Sequence, residues 1–187
     1  MNQGRVVIIS GPSGAGKTSV VKGLLEDSDL PLRLSVSATT RPARPGEVDG
    51  VDYQFMSNDE FQRRREAGDF LECFEVFGRG YWYGTLKSTV DAILSKGDSV
   101  LLEIDVNGMQ QVAEVYPDAI TVFVRTSSLE ELERRLRARK TENDETIKAR
   151  LEVAKHEWQF KDHYQHDIVN EDLDATIDHL RQLLGNT

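Results

Sequence analysis

Lysine and a hydroxyl residue close a glycine-rich run, Gly11-Pro12-Ser13-Gly14-Ala15-Gly16-Lys17-Thr18. The spacing G-x-x-x-x-G-K-[ST] is that of a loop whose backbone N–H groups turn inward around a phosphate chain. The glycines permit the tight turn, and a helix beginning directly after them adds positive potential at its N-terminus. Lys17 can then reach the terminal phosphates of a nucleoside triphosphate, and the Thr18 hydroxyl can take a position on Mg²⁺. The flanks suit this use. The apolar run Val6-Val7-Ile8-Ile9 precedes the loop as a strand, and Val20, Val21, Leu24 and Leu25 follow at helical spacing.

Other residues could handle phosphate. Arg41 and Arg44 lie three apart in the Pro/Gly-stiffened segment Arg41-Pro-Ala-Arg44-Pro-Gly. Two guanidinium groups so placed can converge on one phosphate monoester, with Tyr53 as a neutral donor. From composition alone an exposed pair of surface arginines is the favoured reading. Arg135 and Arg139 stand at i,i+4 and share one helix face. Glu103 and Asp105 end an apolar strand at the carboxyl edge of the sheet, where open α/β folds bind ligands, and either could reach Mg²⁺ through water. The histidines promise little: His163-x-x-His166 lacks a third ligand at useful spacing, and His156-Glu157 does not continue into a zinc-protease pattern. Cys73 is the only cysteine, which excludes an internal disulfide, points to a reducing cytoplasm and suits a small core residue.

The elements that must position these groups follow from patterning. A chain of 187 residues fits one domain with small insertions. Hydrophobic residues at 39% and charged residues at 29% belong to a soluble globular protein, and no apolar run reaches spanning length. Nor does the N-terminal stretch before the first strand leave room for a signal peptide. A net charge of -9 argues against non-specific binding to nucleic acid or an anionic membrane, so the basic residues must act locally. Strands are expected at Val6–Ile9, Leu32–Val36, Ser99–Ile104, Ile120–Val124 and Ile168-Val169, with helices between most of them. That alternation calls for a mostly parallel sheet covered on both faces. Residues 37–87 interrupt it with an aromatic-rich, β-prone stretch containing a capping box, Ser57-Asn-Asp-Glu60, whose helix should end near Gly68. Residues 127–158 form a charged helical stretch with two apolar stripes, Leu129/Leu132/Leu136 and Ile147/Leu151/Ala154/Trp158, and a last amphipathic helix carries Leu173, Ile177, Leu180 and Leu184. The expected architecture is an α/β P-loop three-layer fold with a central parallel sheet. Its parts are core segments 1–36, 88–126 and 159–187, a β-rich insertion at 37–87 and a helical lid at 127–158.

Several runs together resemble guanylate kinase, in order and over essentially the full length. They are the phosphate loop, Ser35-Val-Ser37-Ala-Thr-Thr-Arg41-Pro-Ala-Arg44-Pro-Gly-Glu47, Gly50-x-Asp-Tyr53-x-Phe55, Phe70-Leu-Glu72, Tyr83-Gly84-Thr85, Ile104-Asp105-x-x-Gly108, Arg135-Leu-x-x-Arg139 and Ile168-Val169-Asn170-Glu-Asp172. The resemblance implies transfer of the γ-phosphoryl group of ATP, with Mg²⁺, to GMP and also dGMP. Gly11 through Thr18 would bind ATP. Arg41, Arg44, Tyr53 and Tyr83 would hold the GMP phosphate, with Tyr81 an alternative to Tyr83 because the Gly78–Gly84 loop is two residues longer than usual. Ser37 and Thr85 would meet guanine O6, Glu72 would accept from N1–H and the 2-amino group, and Asp105 would lie close to that amino group. Lys17, Arg41, Arg135, Arg139 and Arg150 would compensate charge on the transferring group. Other departures are Arg125-Thr126 for a Pro-Pro pair, Lys140 for a glycine and Asn107 for glutamine. A cytoplasmic monomer or small homo-oligomer is expected, acting on small molecules only.

Two rival readings remain at this level. A related kinase with a phosphorylated ribose acceptor would not need a guanine-selective carboxylate. A non-catalytic module that recognises phosphopeptides would typically lack the loop lysine and lid arginines, which this chain keeps as Lys17, Arg135 and Arg139.

Overall fold

The apolar run ahead of the glycine loop becomes β1, Val6–Ser10, buried along its whole length. The loop turns into α1, Lys17–Leu25, which buries Val20, Val21 and Leu24. A computed structural model describes residues 4–26, 30–76, 80–138 and 143–185. β2, Leu32–Leu34, is shorter than the expected Leu32–Val36. Ser35 N still donates to Leu101 O, but the Val36 carbonyl is taken by the side-chain amide of Gln54 (3.0 Å), which turns the chain out of the ladder.

Next come β3, Ala38–Thr39, β4, Gln54–Phe55, and α2, Asn58–Glu66, followed by β5, Phe70–Val76, and β6, Tyr81–Leu86. These four strands form one sheet of order β4-β3-β6-β5. Ala38, Phe61, Phe70 and Leu86 make its core, with Met56, Cys73 and Trp82 packed against them and the Phe61 and Phe70 rings stacked at 4.4 Å. Half of the capping box forms as expected. Ser57 Oγ accepts from Glu60 N (3.1 Å), whereas the Glu60 carboxylate turns to Arg64 (2.6 Å) and Arg63. Two arginines on its own helix face outcompete the single Ser57 N–H for that charge. The helix stops before Gly68, as its sequence predicts.

The chain continues through α3, Lys87–Leu94, β7, Ser99–Glu103, α4, Val106–Val115, and β8, Ile120–Arg125. Then follow α5, Leu129–Ala138, α6, Asp144–Trp158, a 3₁₀ turn at Lys161–His163, β9, His166–Val169, and α7, Leu173–Gly185. The larger sheet has the order β2-β7-β1-β8-β9. β2 with β7, β1 with β8 and β8 with β9 all pair in parallel. Parallel neighbours need long crossovers, which the helices provide, and both faces of such strands are covered. Val100–Leu102 and Val122–Val124 are accordingly at most 1% exposed.

Contacts divide the chain into two units. One comprises the chain up to Val6, Leu32–Leu102 and Asn107–Ala119. The other comprises Val7–Pro31, Glu103–Val106 and the chain from Ile120 onward. In the second, both stripes expected for the charged helical stretch are used: Leu132 and Leu136 of α5 meet Ile147 and Ala154 of α6, with Leu129 and Leu151 packed alongside. Asn143 caps α6 by accepting from Thr146 N (2.8 Å). On α7, Ile177 and Leu180 are buried as patterned, while Leu173 is left 40% exposed. No helix among the described residues is long and apolar enough to cross a membrane.

Candidate nucleotide-binding site

The phosphate loop has its shape because two of its glycines cannot be anything else. Gly11 adopts φ +135°, and a Cβ there would lie 2.0 Å from the Val124 carbonyl oxygen. Gly16 adopts φ +96°, and a Cβ there would lie 2.4 Å from Asn170 Nδ2. Both the left-handed backbone and the close approach exclude a side chain. Gly11, Pro12 and Ala15 are buried, Ser13 is exposed, and Gly14 and Gly16 lie between. Lys17 opens α1, and its Nζ donates to the carbonyls of Gly11 (2.6 Å) and Pro12 (3.1 Å). Burial lowers the Lys17 pKa, and the nearby carboxylates of Glu103, Glu157 and Asp105 oppose that shift. The Thr18 hydroxyl donates to Glu103 Oε1 (2.9 Å).

Arg135 is held from two sides. Arg135 Nε donates to Glu131 Oε1 (2.8 Å) and Arg135 Nη2 donates to the Asn170 carbonyl (2.8 Å). Arg134 also binds Glu131 through both oxygens (2.7 Å each), and the two guanidinium groups hold the Glu131 carboxyl down at about 2. Arg137 pairs with Glu133 and Asp144 on the exposed face. Arg139, Lys140, Thr141 and Glu142 lie outside the described residues. Arg150 is half-buried on α6. Arg125 grips Asp167 with two bonds (2.7 and 2.8 Å) and stacks its guanidinium 5.3 Å from the Trp158 ring.

Glu157, near the end of α6, is a half-buried carboxyl beside Lys17 and Asp105 that its sequence context does not single out. Burial drives its pKa up to about 7, Lys17 pulls it down and Asp105 adds to the rise. A carboxyl with a raised folded-state pKa binds more protons folded than unfolded, so its contribution is full below the ordinary carboxyl range and is lost as pH rises through about 7. Glu157→Gln keeps the protonated shape at every pH. The variant is expected to match the parent at about pH 4 and to exceed it by about 2 kcal/mol at about pH 8. Thermal melts at both values check this; a difference of equal size at both would contradict it.

The acceptor candidates cluster in the other unit. Arg41 is 8% exposed, and each of its three side-chain nitrogens donates a hydrogen bond. Its Nη2 donates to Glu47 Oε1 (2.8 Å), its Nε to the Tyr83 hydroxyl (3.1 Å) and its Nη1 to the Pro42 carbonyl (2.9 Å). Its guanidinium lies 5.3 Å from the Tyr53 ring centre and 5.8 Å from that of Phe55. Glu47 raises the Arg41 pKa further, and Arg41 in turn lowers that of Glu47. The second Glu47 oxygen accepts from Arg44 N (2.7 Å), which leaves the Arg44 side chain exposed. Tyr83 is the tyrosine whose hydroxyl meets Arg41, and its ring contacts Tyr53 (5.7 Å) and Phe74 (5.9 Å).

Glu72 is 3% exposed, which a carboxylate tolerates only with polar partners. A register shift between Phe70 and Glu72 inserts Leu71 as an extra residue, so that Glu72 stands directly opposite Thr85. The Thr85 hydroxyl donates to Glu72 Oε1 (2.7 Å). A Cβ on Gly108, in α4, would come within 3.2 Å of Glu72 Oε2, so the helix passes close to that carboxylate. Ser37 is half-buried just before β3, and its carbonyl accepts from Gln54 N (2.9 Å). Asp105 belongs to the unit of Lys17, where its carbonyl accepts from Ser10 Oγ (3.5 Å) and its carboxylate acts on Lys17 and Glu157.

The residues that position others were the ones least visible beforehand. Glu47 lies in the Arg41–Glu47 run, and only its six-residue distance from Arg41 hints at a clamp. Asn170 offered a weak signal, a neutral polar residue directly after a strand at the sheet's carboxyl edge. Among the described residues no three or more His, Cys, Asp or Glu are grouped to hold a metal ion, and His163 is exposed.

The guanylate kinase family model matches residues 3–187. The chain is similar to guanylate kinase of Rhodopirellula baltica, at 53% identity over 97% of this chain and 87% of the relative. It is similar to that of Fusobacterium nucleatum at 43% identity, over 100% of this chain and 98% of the relative. Among solved structures, guanylate kinase from Anaplasma phagocytophilum superimposes with a TM-score of 0.80 at 33% identity, covering 100% of this chain and 87% of that one. A Thermus thermophilus protein, TT1252, shares the fold at a TM-score of 0.55 and 17% identity. With a family model matched across nearly its whole length and relatives this similar, the chain belongs to the guanylate kinase family.

Proposed function

We propose that the chain carries out its family's reaction, moving the γ-phosphoryl group of ATP to GMP to give ADP and GDP, with dGMP as a second acceptor. The observation that supports this best is the buried Glu72 carboxylate held by Thr85 in the same unit as the Arg41 cluster. A phosphate clamp and a base-reading carboxylate in one small sheet suit a purine monophosphate that presents N–H donors. In this reading Arg41, Arg44, Tyr53 and Tyr83 hold the acceptor phosphate, and Ser37, Glu72, Thr85 and Asp105 read the base. Residues 37–87 act as the acceptor-binding insertion and 127–158 as the lid, on core segments 1–36, 88–126 and 159–187.

Gly11 through Thr18 cradle the donor phosphates, and Lys17 exchanges its two carbonyl acceptors for phosphate oxygens. Arg135, with Arg139 and Arg150, offsets charge on the group in transit. The acceptor is already an oxyanion, so no general base is needed; position and charge compensation carry the reaction. Thr18 and Glu103 present hard oxygen atoms side by side, a donor set that fits Mg²⁺, an ion that keeps several waters and takes the rest of its shell from phosphates. When bound, that ion neutralises charge on the β- and γ-phosphate oxygens.

Incubation with ATP, Mg²⁺ and GMP is expected to give ADP and GDP in equal amounts, resolved by ion-exchange chromatography. ADP appearing without GDP would overturn the proposal.

A further inference from the structure

Arg125 is the last residue of β8 and Trp158 the last of α6, so they bracket residues 127–158 at the two joints where that stretch meets the rest of its unit. Folding brings the two joints together. The Arg125 guanidinium lies 5.3 Å from the centre of the Trp158 ring. The same group donates from Nε and Nη2 to both oxygens of Asp167 on β9, at 2.7 and 2.8 Å. Its remaining nitrogen, Nη1, donates to the Thr126 carbonyl (3.2 Å), in the first peptide beyond the strand. Asp167 lies on a strand paired in parallel with β8, so it belongs to the sheet rather than to the helices. Both charged side chains are largely sheltered, and a two-bond geometry of this kind escapes the weakness of exposed ion pairs.

Between the joints α5 and α6 pack on each other through Leu132, Leu136, Ile147 and Ala154, so they turn as one body. At the entry joint Thr126 is fully buried and its hydroxyl donates to the Ser128 carbonyl (2.6 Å). Past the exit joint Tyr164 is buried, with its ring 5.1 Å from that of Phe123 in β8. A helix pair mounted in this way can swing only about its two joints, and one guanidinium spans both. We infer that Arg125 is a positioning residue that clasps the two joints of the α5–α6 pair to Asp167 on the sheet, and so holds the pair in the orientation that receives the donor nucleotide. The inference rests on the proposed reading of 127–158 as a lid. Arginine suits the task because its planar fork meets both oxygens of a carboxylate while its face lies against an aromatic ring. A pair released at its joints samples more orientations. A nucleotide that needs one of them then binds with an affinity lowered by the fraction of time that orientation is present, while transfer from the bound state is unchanged.

The test is amide hydrogen exchange on the full chain without nucleotide, joined to steady-state kinetics, for the parent and Arg125→Met, which keeps an unbranched apolar stem and removes the charge. Amides of α5 and α6 are expected to exchange about 10-fold or more faster in the variant, and those of β1 and α1 to change by less than about 2-fold. KM for ATP should rise about 5-fold or more, with kcat and KM for GMP changed by less than about 2-fold. Trp158→Phe keeps a ring for the guanidinium and should stay within about 2-fold of the parent in both readouts, whereas Trp158→Leu should reproduce the Arg125→Met pattern. Unchanged exchange in α5 and α6 would overturn the inference. So would equal acceleration in β1 and α1, which would make Arg125 a support for the whole unit, and so would a leucine as good as the phenylalanine. The exchange readout needs no turnover, so a chain that gave no GDP would overturn the proposed function while exchange still decided the clasp.

Discussion

Replacing Lys17 with alanine is expected to lower kcat/KM by about 10³-fold or more while the protein remains folded. Lys17 is the cation that the fold delivers to the loop. It opens α1, its Nζ sits 2.6 Å from the Gly11 carbonyl, and the carboxylates of Glu103, Glu157 and Asp105 support its charge against burial. A desolvated ammonium acts on nearby phosphate charge far more strongly than a solvated one, and here it requires little reorganisation before transfer. Arginine should not restore the function, since a planar fork cannot take the place of a compact point charge between two loop carbonyls. Steady-state kinetics read the loss, and the thermal midpoint separates it from unfolding. An alanine variant with undiminished kcat/KM would contradict the assignment of this loop to the donor.

Glu72→Gln is expected to reduce kcat/KM for GMP by about 10³-fold and to narrow the preference for GMP over AMP by at least about 10²-fold. Guanine presents N–H donors where adenine has an unprotonated ring nitrogen, so a fixed carboxylate selects between them. The carboxylate is fixed here: it is 3% exposed, set opposite Thr85 by the irregularity at Leu71, and receives the Thr85 hydroxyl at 2.7 Å. Glutamine keeps the volume but turns one acceptor into a donor, which would face a base donor. The nearness of Gly108 leaves little room for the amide to rotate away. The measurement is kcat/KM for both acceptors in parent and variant, and an unchanged ratio would remove Glu72 from base selection.

What the sequence disclosed and what it hid divide along a physical line. The eight-residue loop carries its own conformation, because its glycines and flanking apolar runs are local instructions. The stripes Leu132/Leu136 and Ile147/Ala154 were legible for the same reason, since helical periodicity is set within a few residues. Roles for Arg41, Arg135 and Glu72 follow chiefly from likeness to a family, as single charged residues carry no signal of burial. The residues that keep those groups in place carry only weak signals in the sequence. Asn170 meets Ala15 across 155 positions and Arg135 across 35, and no local rule connects them. In the sequence Glu157 is one more charge on a charged helical stretch; folding sets it beside Lys17. The strand expected to run on to Val36 stopped at Leu34 because of a side chain 18 residues away, the Gln54 amide.

The central claim is that a phosphate loop shared by many kinases serves here a guanine-reading acceptor site. The most direct measurement is ADP release by the unaltered chain, with ATP and Mg²⁺ as donor, against GMP, AMP, CMP and UMP in turn. Turnover with GMP, at a kcat/KM about 10⁴-fold above that for AMP, is the predicted result. Equal turnover with AMP and GMP would contradict it.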